Sequence, residues 1–290
     1  MRQLCSTLLM VLFSIVFICY SLCAMFVETS LLASTTNVYG ADTVNVPIIM
    51  YHLFLKDSSK WGKFILPPDQ FANDIAYIKE RGYEPIFFSQ LIDYVENGTP
   101  LPQKPIMITF DDGYYNNYLY AFPVLKQYDC KAVFSVIGKY ADLYSQTGEA
   151  NAYYTHATWS QIDEMLSSGL VEIQNHSYDL HSNTKERTGA AKKKGESTEV
   201  YQKLLFDDLK RNHDLIVEHT GVSPSIFTYP FGSMSKDSEA VIKQLGYKGS
   251  LSCETGTNQV TRDPECLFKM KRYNRPYGKS SKEFFDPFLP

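Results

Sequence analysis

From residue 46 onward, short runs of apolar, β-branched and aromatic residues alternate with segments of helical period, and this alternation leaves few architectures open. Strands are predicted at 46–51 (VPIIMY), 105–110 (PIMITF), 131–137 (KAVFSVI), 170–175 (LVEIQN), 225–229 and 247–251, with a last one at 267–271. Between them the spacing predicts helices at 67–81, stopped at Gly82, and at 118–128, 158–168, 198–220 and 235–245, with a short one at 280–285. No Gly/Ser-rich linker or internal repeat divides the series. Repeated β–α units point to one parallel sheet, open or closed into a barrel.

The N-terminus stands apart from this pattern. Arg2 is followed by no charged residue until Glu28, and residues 8–27 form an uncharged, mostly apolar run. Twenty such residues in a helix would span a bilayer core of roughly 30 Å. A cleavage-like stretch lies downstream at 33–41 (ASTTNVYGA), so a cleaved signal and an uncleaved anchor both remain open. Either way the remainder is expected outside the cell, secreted or tethered to the outer face of the cytoplasmic membrane. Setting residues 1–41 aside from 290 leaves 249, a length that suits one (β/α) barrel. The net charge of −4 lacks the basic excess that a dedicated nucleic-acid binder needs. Cys5, Cys19 and Cys23 fall in the export segment, leaving Cys130, Cys253 and Cys266. A Cys253–Cys266 bridge and free thiols are both open.

Chemistry-bearing residues gather at predicted strand ends. The strand at 105–110 runs into Asp111-Asp112-Gly113. Neighbouring side chains there point differently, so one carboxylate can bind a metal while the other takes a proton; the alternative is a pair that starts a turn and caps the next helix. The strand at 170–175 ends in Asn175-His176-Ser177-Tyr178-Asp179-Leu180-His181. Two histidines five apart, joined by a carboxylate, would make an open two-His-one-carboxylate set; unrelated surface histidines are the alternative. His52 and His156 also lie near strand or loop ends, while His213 and His219 read as solvated positions on the long helix. The corner Phe227-Thr228-Tyr229-Pro230-Phe231-Gly232 closes another strand. A Lys/Arg-rich loop at 182–197 is either a solvated excursion or a basic lip for an anionic polymer.

Together, TFDDG at 109–113, NHSYDLH at 175–181 and TYPFG at 228–232 resemble the polysaccharide deacetylase family, carbohydrate esterase family 4 with the NodB-homology domain, over most of residues 46–285. MYH at 50–52, the histidine spacing and the Arg272 region are most similar to the subgroup of poly-N-acetylglucosamine deacetylases. The resemblance implies an α/β fold, a distorted (β/α) barrel often of seven strands, occupying 42–290 as a single domain. It also implies hydrolytic removal of N-acetyl groups with one divalent metal ion, zinc foremost, with Co2+, Ni2+ or Fe2+ as alternatives. Asp112, His176 and His181 match the metal ligands, Asp111 the general base, and the Phe231 backbone N–H a holder of the oxyanion. Tyr114, Tyr229 and Pro230 are the implied substrate contacts.

Two departures from the common pattern matter. No Leu-x-x-His acid follows His219, and the resemblance to the MYH subgroup makes His52 the candidate acid. Thr228 stands where the third motif carries an arginine that orients the base; Arg272 matches an arginine of the subgroup's last strand, the alternative being a surface arginine in the basic cluster 269–275. The expected partner is a polysaccharide, with Tyr115, Tyr153 and Tyr154 as further stacking candidates, and the expected state is a monomer. The rivals are an O-acetyl polysaccharide esterase and an inactive carbohydrate-binding protein on the same fold.

Overall fold

The structure, a computed structural model, describes residues 43–290. The expected export or anchor segment lies outside the described residues, and among those described no helix is long and apolar enough to cross a membrane.

The described residues begin with β1 (Val44–Val46), β2 (Ile48–Tyr51), β3 (Leu53–Phe54) and β4 (Ile65–Leu66), then helix α1 (Pro68–Glu80), β5 (Glu84–Pro85) and α2 (Phe88–Asn97). Next come β6 (Pro105–Phe110), a π-helical turn (Asn117–Ala121) running into α3 (Phe122–Tyr128), β7 (Ala132–Val136), α4 (Gly138–Thr147) and α5 (Trp159–Ser167). The rest is β8 (Val171–Asn175), α6 (Thr198–Thr220), β9 (Ile226–Thr228), α7 (Ser238–Gln244), β10 (Gly249–Leu251), β11 (Asn258–Val260), β12 (Tyr273–Asn274) and α8 (Ser281–Phe285).

Seven parallel strands lie in the order β10-β9-β8-β7-β6-β2-β12, with β5 added beside β6. The two ends of this path meet through the segment that leads into β12. Met270 donates its N–H to Ser250 and accepts from Ser252, while Tyr273, three residues on, pairs with Ile49. One stretch of chain therefore bridges β10 to β2 and closes the curled sheet into the distorted barrel expected from the sequence.

Period-two alternation sorts each strand's side chains between two cores. In β6, Ile106, Ile108 and Phe110 pack outward against the helices, with Ile49, Tyr51 and Phe134. Met107 faces the other way, into a cluster with Ile48, Val133, Ile226, Leu251 and Met270 that fills the barrel floor. The same parity carries upward, so Thr109 and Asp111 follow Met107 on the inner face, and His52 follows Ile48 and Met50.

Several local expectations are corrected. The last strand is not 267–271: Asp263 caps a 3-10 turn at Pro264–Leu267, Lys269 turns back at φ 57°, and pairing with β2 begins only at Tyr273. Helices α2 and α4 were not anticipated. Cys130, Cys253 and Cys266 are free thiols, with no bridge. His213 is half-buried against the Tyr247 hydroxyl rather than solvated, whereas His219 is exposed as expected, its ring stacked on Trp159. In the loop at 182–197, three of the five basic residues, Arg187, Lys192 and Lys193, are paired with Glu196, Asp237 and Glu186.

The C-terminal segment is locked by a second buried arginine. Arg275 and Asp74 are both fully buried, and the guanidinium binds the carboxylate through Nε (2.8 Å) and Nη2 (3.0 Å). Tyr51, Gln70 and Ser281 donate to the same carboxylate, so its acceptor sites are filled by α1, β2 and α8 together. The basic cluster at 269–275 is thus partly interior.

Candidate active site

Three loops at the C-terminal ends of β6, β8 and β9 build the site, and each contains a non-glycine residue in the left-handed backbone region: Asp112 (φ 71°), Ser177 (φ 72°) and Phe231 (φ 58°). Such conformations persist only where surrounding contacts over-determine them. Asp112 is the clearest case. It follows inward-facing Asp111, and the positive φ swings its carboxylate back over the same cleft; Gly113 (φ 79°) lets the turn pass close to Val136.

Asp112, His176 and His181 each bring one donor atom to a common point, all within 4.8 Å of one another. Asp112 Oδ1 lies 3.2 Å from His176 Nε2 and 2.9 Å from His181 Nε2. His176 Nδ1 is 2.7 Å from the Thr228 carbonyl, which makes Nδ1 the donor and leaves Nε2 a lone pair facing the site. Burial opposes ionising Asp112, and the two imidazoles outweigh it, holding the carboxyl well below its usual range. Two imidazole nitrogens and one ionised carboxylate on one side of an open cleft fit a divalent metal with positions left for other ligands. The five-residue spacing is bridged by a loop whose N–H groups at Tyr178 and Asp179 donate to Asp208 on α6 (2.8 and 2.9 Å). The side chain of Asn175 caps the Ser177 N–H (2.8 Å) at the loop's start. Sequence reading missed Asp208, because nothing in a helical aspartate 27 residues past His181 signals which loop it holds.

Asp111 sits in different surroundings. Both its oxygens accept from Arg272, at 2.7 and 2.8 Å, and the arginine is fully buried, its Nε donating to the Ser252 carbonyl (2.7 Å). Burial raises the Asp111 pKa, but Arg272 carries the net shift downward and keeps the carboxyl ionised. Thr228, standing in the usual arginine position, is buried and bonded to Ser135 (2.7 Å). The positive charge facing Asp111 therefore comes from beside β12, two strands along the sheet from β6.

His52 Nε2 stands 4.0 Å from Asp111 Oδ2, and its ring lies against Phe64 at 4.7 Å. Burial lowers the His52 pKa against the pull of Asp112 and Asp111. These groups line a cleft of about 510 Å³ together with Tyr114, Phe231, Asn274 and Cys253. Phe231 is 45% exposed, and its ring meets that of His181 at 4.4 Å. Tyr229 and Pro230 are corrected: strand parity turns Tyr229 outward with Phe227, where it is fully buried and bonded to Ser238, and Pro230 is buried in the turn. Tyr115 stacks on Tyr118 away from the cleft, whereas Tyr153 and Tyr154 are exposed beside it.

The sequence model described as polysaccharide deacetylase matches residues 98–250. The chain is 28% identical over 232 residues to the poly-beta-1,6-N-acetyl-D-glucosamine N-deacetylase of Escherichia coli K12, covering 72% of this chain but only 33% of that protein. It thus spans about a third of that relative's length. A solved de-N-acetylase from Aggregatibacter actinomycetemcomitans superposes with a TM-score of 0.71 at 23% identity, covering 82% of this chain and 97% of the other. IcaB from Ammonifex degensii gives 0.67 at 25% identity, covering 80% and 92%. With the matched stretch running through all three site loops and the fold agreeing along its length, the chain belongs to the polysaccharide deacetylase family.

Proposed function

We propose that this chain removes N-acetyl groups from an N-acetylglucosamine-containing polysaccharide outside the cell, with 42–290 as the catalytic domain and 1–41 as its export signal or anchor. The observation that carries the reading is two adjacent carboxylates in opposite surroundings, Asp112 among imidazoles and Asp111 in a guanidinium fork. Such division of a carboxylate pair assigns different tasks to its members. The names of the relatives support the polymer.

Asp112, His176 and His181 would hold one divalent ion, zinc by donor type, which when bound supplies polarisation of the acetyl carbonyl and a more acidic water. Asp111, ionised and fixed by Arg272, takes the proton of the attacking water. Water oxygen bonds to the acetamide carbon, and the Phe231 N–H donates to the oxygen on which charge develops. His52 gives a proton to the sugar nitrogen as the carbon–nitrogen bond breaks, leaving acetate and a free amine. Its lowered pKa makes the protonated imidazole the stronger acid.

The test is acetate release from β-1,6-linked N-acetylglucosamine oligomers and from acetylated xylan, before and after chelation. Release from the oligomers that stops with chelator and returns with zinc is expected; release from xylan alone would replace the amide reading with an ester one, and release from neither would leave a binder. A second expectation concerns Gly189, whose added Cβ would lie 2.5 Å from the Pro230 carbonyl oxygen at φ 53°. Gly189→Ala should displace the turn carrying Phe231 and lower kcat roughly tenfold to a hundredfold, with KM little changed. An unchanged kcat would remove that turn from the reaction.

A further inference from the structure

Beside the cleft lies a second pocket of about 350 Å³, walled by Tyr114, Tyr140, Tyr144, Tyr153, Tyr154 and His156. Tyr114 and His181 line both cavities, so the pocket continues the cleft. Its geometry is fixed from the Asp-Asp-Gly turn. Tyr114 pairs with His156 as an antiparallel bridge, Tyr115 N–H donates to Thr155 (2.9 Å), and Ala157 N–H donates to Gly113 (2.9 Å). His156 is stacked between Tyr114, at 4.5 Å, and Tyr140, at 4.4 Å.

The walls have a consistent chemistry. Five phenol rings line it, those of Tyr114 and Tyr140 each with one face against His156 and those of Tyr153 and Tyr154 half-exposed, and among the described residues no lysine or arginine lines the pocket. Burial pushes His156 down to about 4, so it adds no positive charge. At the edge, the Tyr154 hydroxyl donates to the Glu149 carboxylate. Away from the mouth, where His181 opens on the cleft, a carboxylate or phosphate would find no counter-charge. A neutral acetamide would gain stacking alone, whereas an ammonium group over tyrosine faces gains cation–π attraction as well.

We propose that this pocket is a subsite for an amino-sugar unit already bearing a free ammonium group, the neighbour of the unit undergoing hydrolysis; this rests on the deacetylase reading above. The product of one turnover then recruits the adjacent unit, and acetyl loss spreads along the polymer in runs.

The test uses the full chain and two trisaccharides of N-acetylglucosamine type with an isotope-labelled central acetyl group, one acetylated throughout and one with free amines on both flanking units. The flanking-amine substrate should show a kcat/KM for central acetyl release higher by roughly fivefold. Tyr140→Leu and Tyr153→Leu should abolish that preference, bringing the two trisaccharides to equal kcat/KM, and Tyr140→Phe should keep it, since phenylalanine keeps the π face. Equal rates, or a preference for acetylated neighbours, overturn the proposal. Binding of glucosamine, N-acetylglucosamine and glucose to unsubstituted protein, followed by tyrosine ring shifts in NMR, gives an activity-independent reading. Tighter binding of glucosamine with shifts at Tyr140 and Tyr153 supports the subsite even if no acetate is released, a result that would instead defeat the catalytic reading; equal binding of all three overturns it.

Discussion

Arg272→Met is expected to lower kcat/KM for acetate release by about a hundredfold or more and to remove roughly 3–5 kcal/mol of stability. The guanidinium is the partner of both Asp111 oxygens, and neither residue is reached by solvent to any useful degree. Methionine fills much of the volume and leaves a buried carboxylate unpaired. Burial, the largest influence on Asp111, is then opposed only by His176 and His52, and the pKa is expected to move up instead of down. The sign of the pH effect follows. In the parent chain the depressed Asp111 pKa contributes stability above the unfolded carboxylate pKa, and this is lost as pH falls through the folded value. In the variant the ionised form is the costly one, so stability should increase as pH falls through the raised pKa, and the acid limb of kcat/KM should shift to higher pH. Arg272→Lys keeps the charge but not the planar fork, so it should recover more stability than rate. Thermal melts and rate profiles across pH check both; an unmoved acid limb with full activity would show that Arg272 is merely structural.

Asp74→Ala should cost roughly 3–5 kcal/mol, read as a lower urea midpoint, because it strands Arg275 in a dry interior. Arg275 also donates to the Pro276 and Lys279 carbonyls, so its stem and head are held from both sides. The informative comparison is the double variant Asp74→Leu with Arg275→Met, which removes both charges and should be more stable than either single change. If the double variant is as unstable as the sum of the singles, the pair is not coupled and the cost lies in packing. Because neither Asp74 nor Arg275 lines the cleft, acetate release per folded molecule should remain.

Much of the site was legible because its chemistry sits in contiguous strings. TFDDG and NHSYDLH each place their carboxylates and imidazoles just past an apolar strand, and strand parity with one left-handed residue suffices to converge them. Tyr229 shows where that reading fails: lying in a motif does not decide which face a side chain takes, and parity with Phe227 sends it into the core. Arg275 was obscured for the opposite reason, and Arg272 was named only through the family resemblance. A run of basic residues has the composition of a solvated surface, and only partners 161 and 201 residues away make two of its members interior. The last strand was misplaced because 267–271 has strand composition, while Lys269 at positive φ and the Asp263-capped turn delay pairing to Tyr273. Helix α4 begins at a glycine packed against Asn212, a start that carries no capping signal.

The stretch matched by the family model, 98–250, contains the metal-ligand candidates and Asp111 but neither His52 nor Arg272. Synthesis gives this separation a time course. Arg272 follows Asp111 by 161 residues, which at roughly 5–20 residues per second is a lag of about 10–30 s. Over the last 40 residues of that interval, from Gly232 to Arg272, every recognisable motif has been made while the base carboxylate has no partner and β12 has not closed the ring. Competence thus arrives with the last-made strand, and a chain cut short before it would keep its motifs and lack a working base.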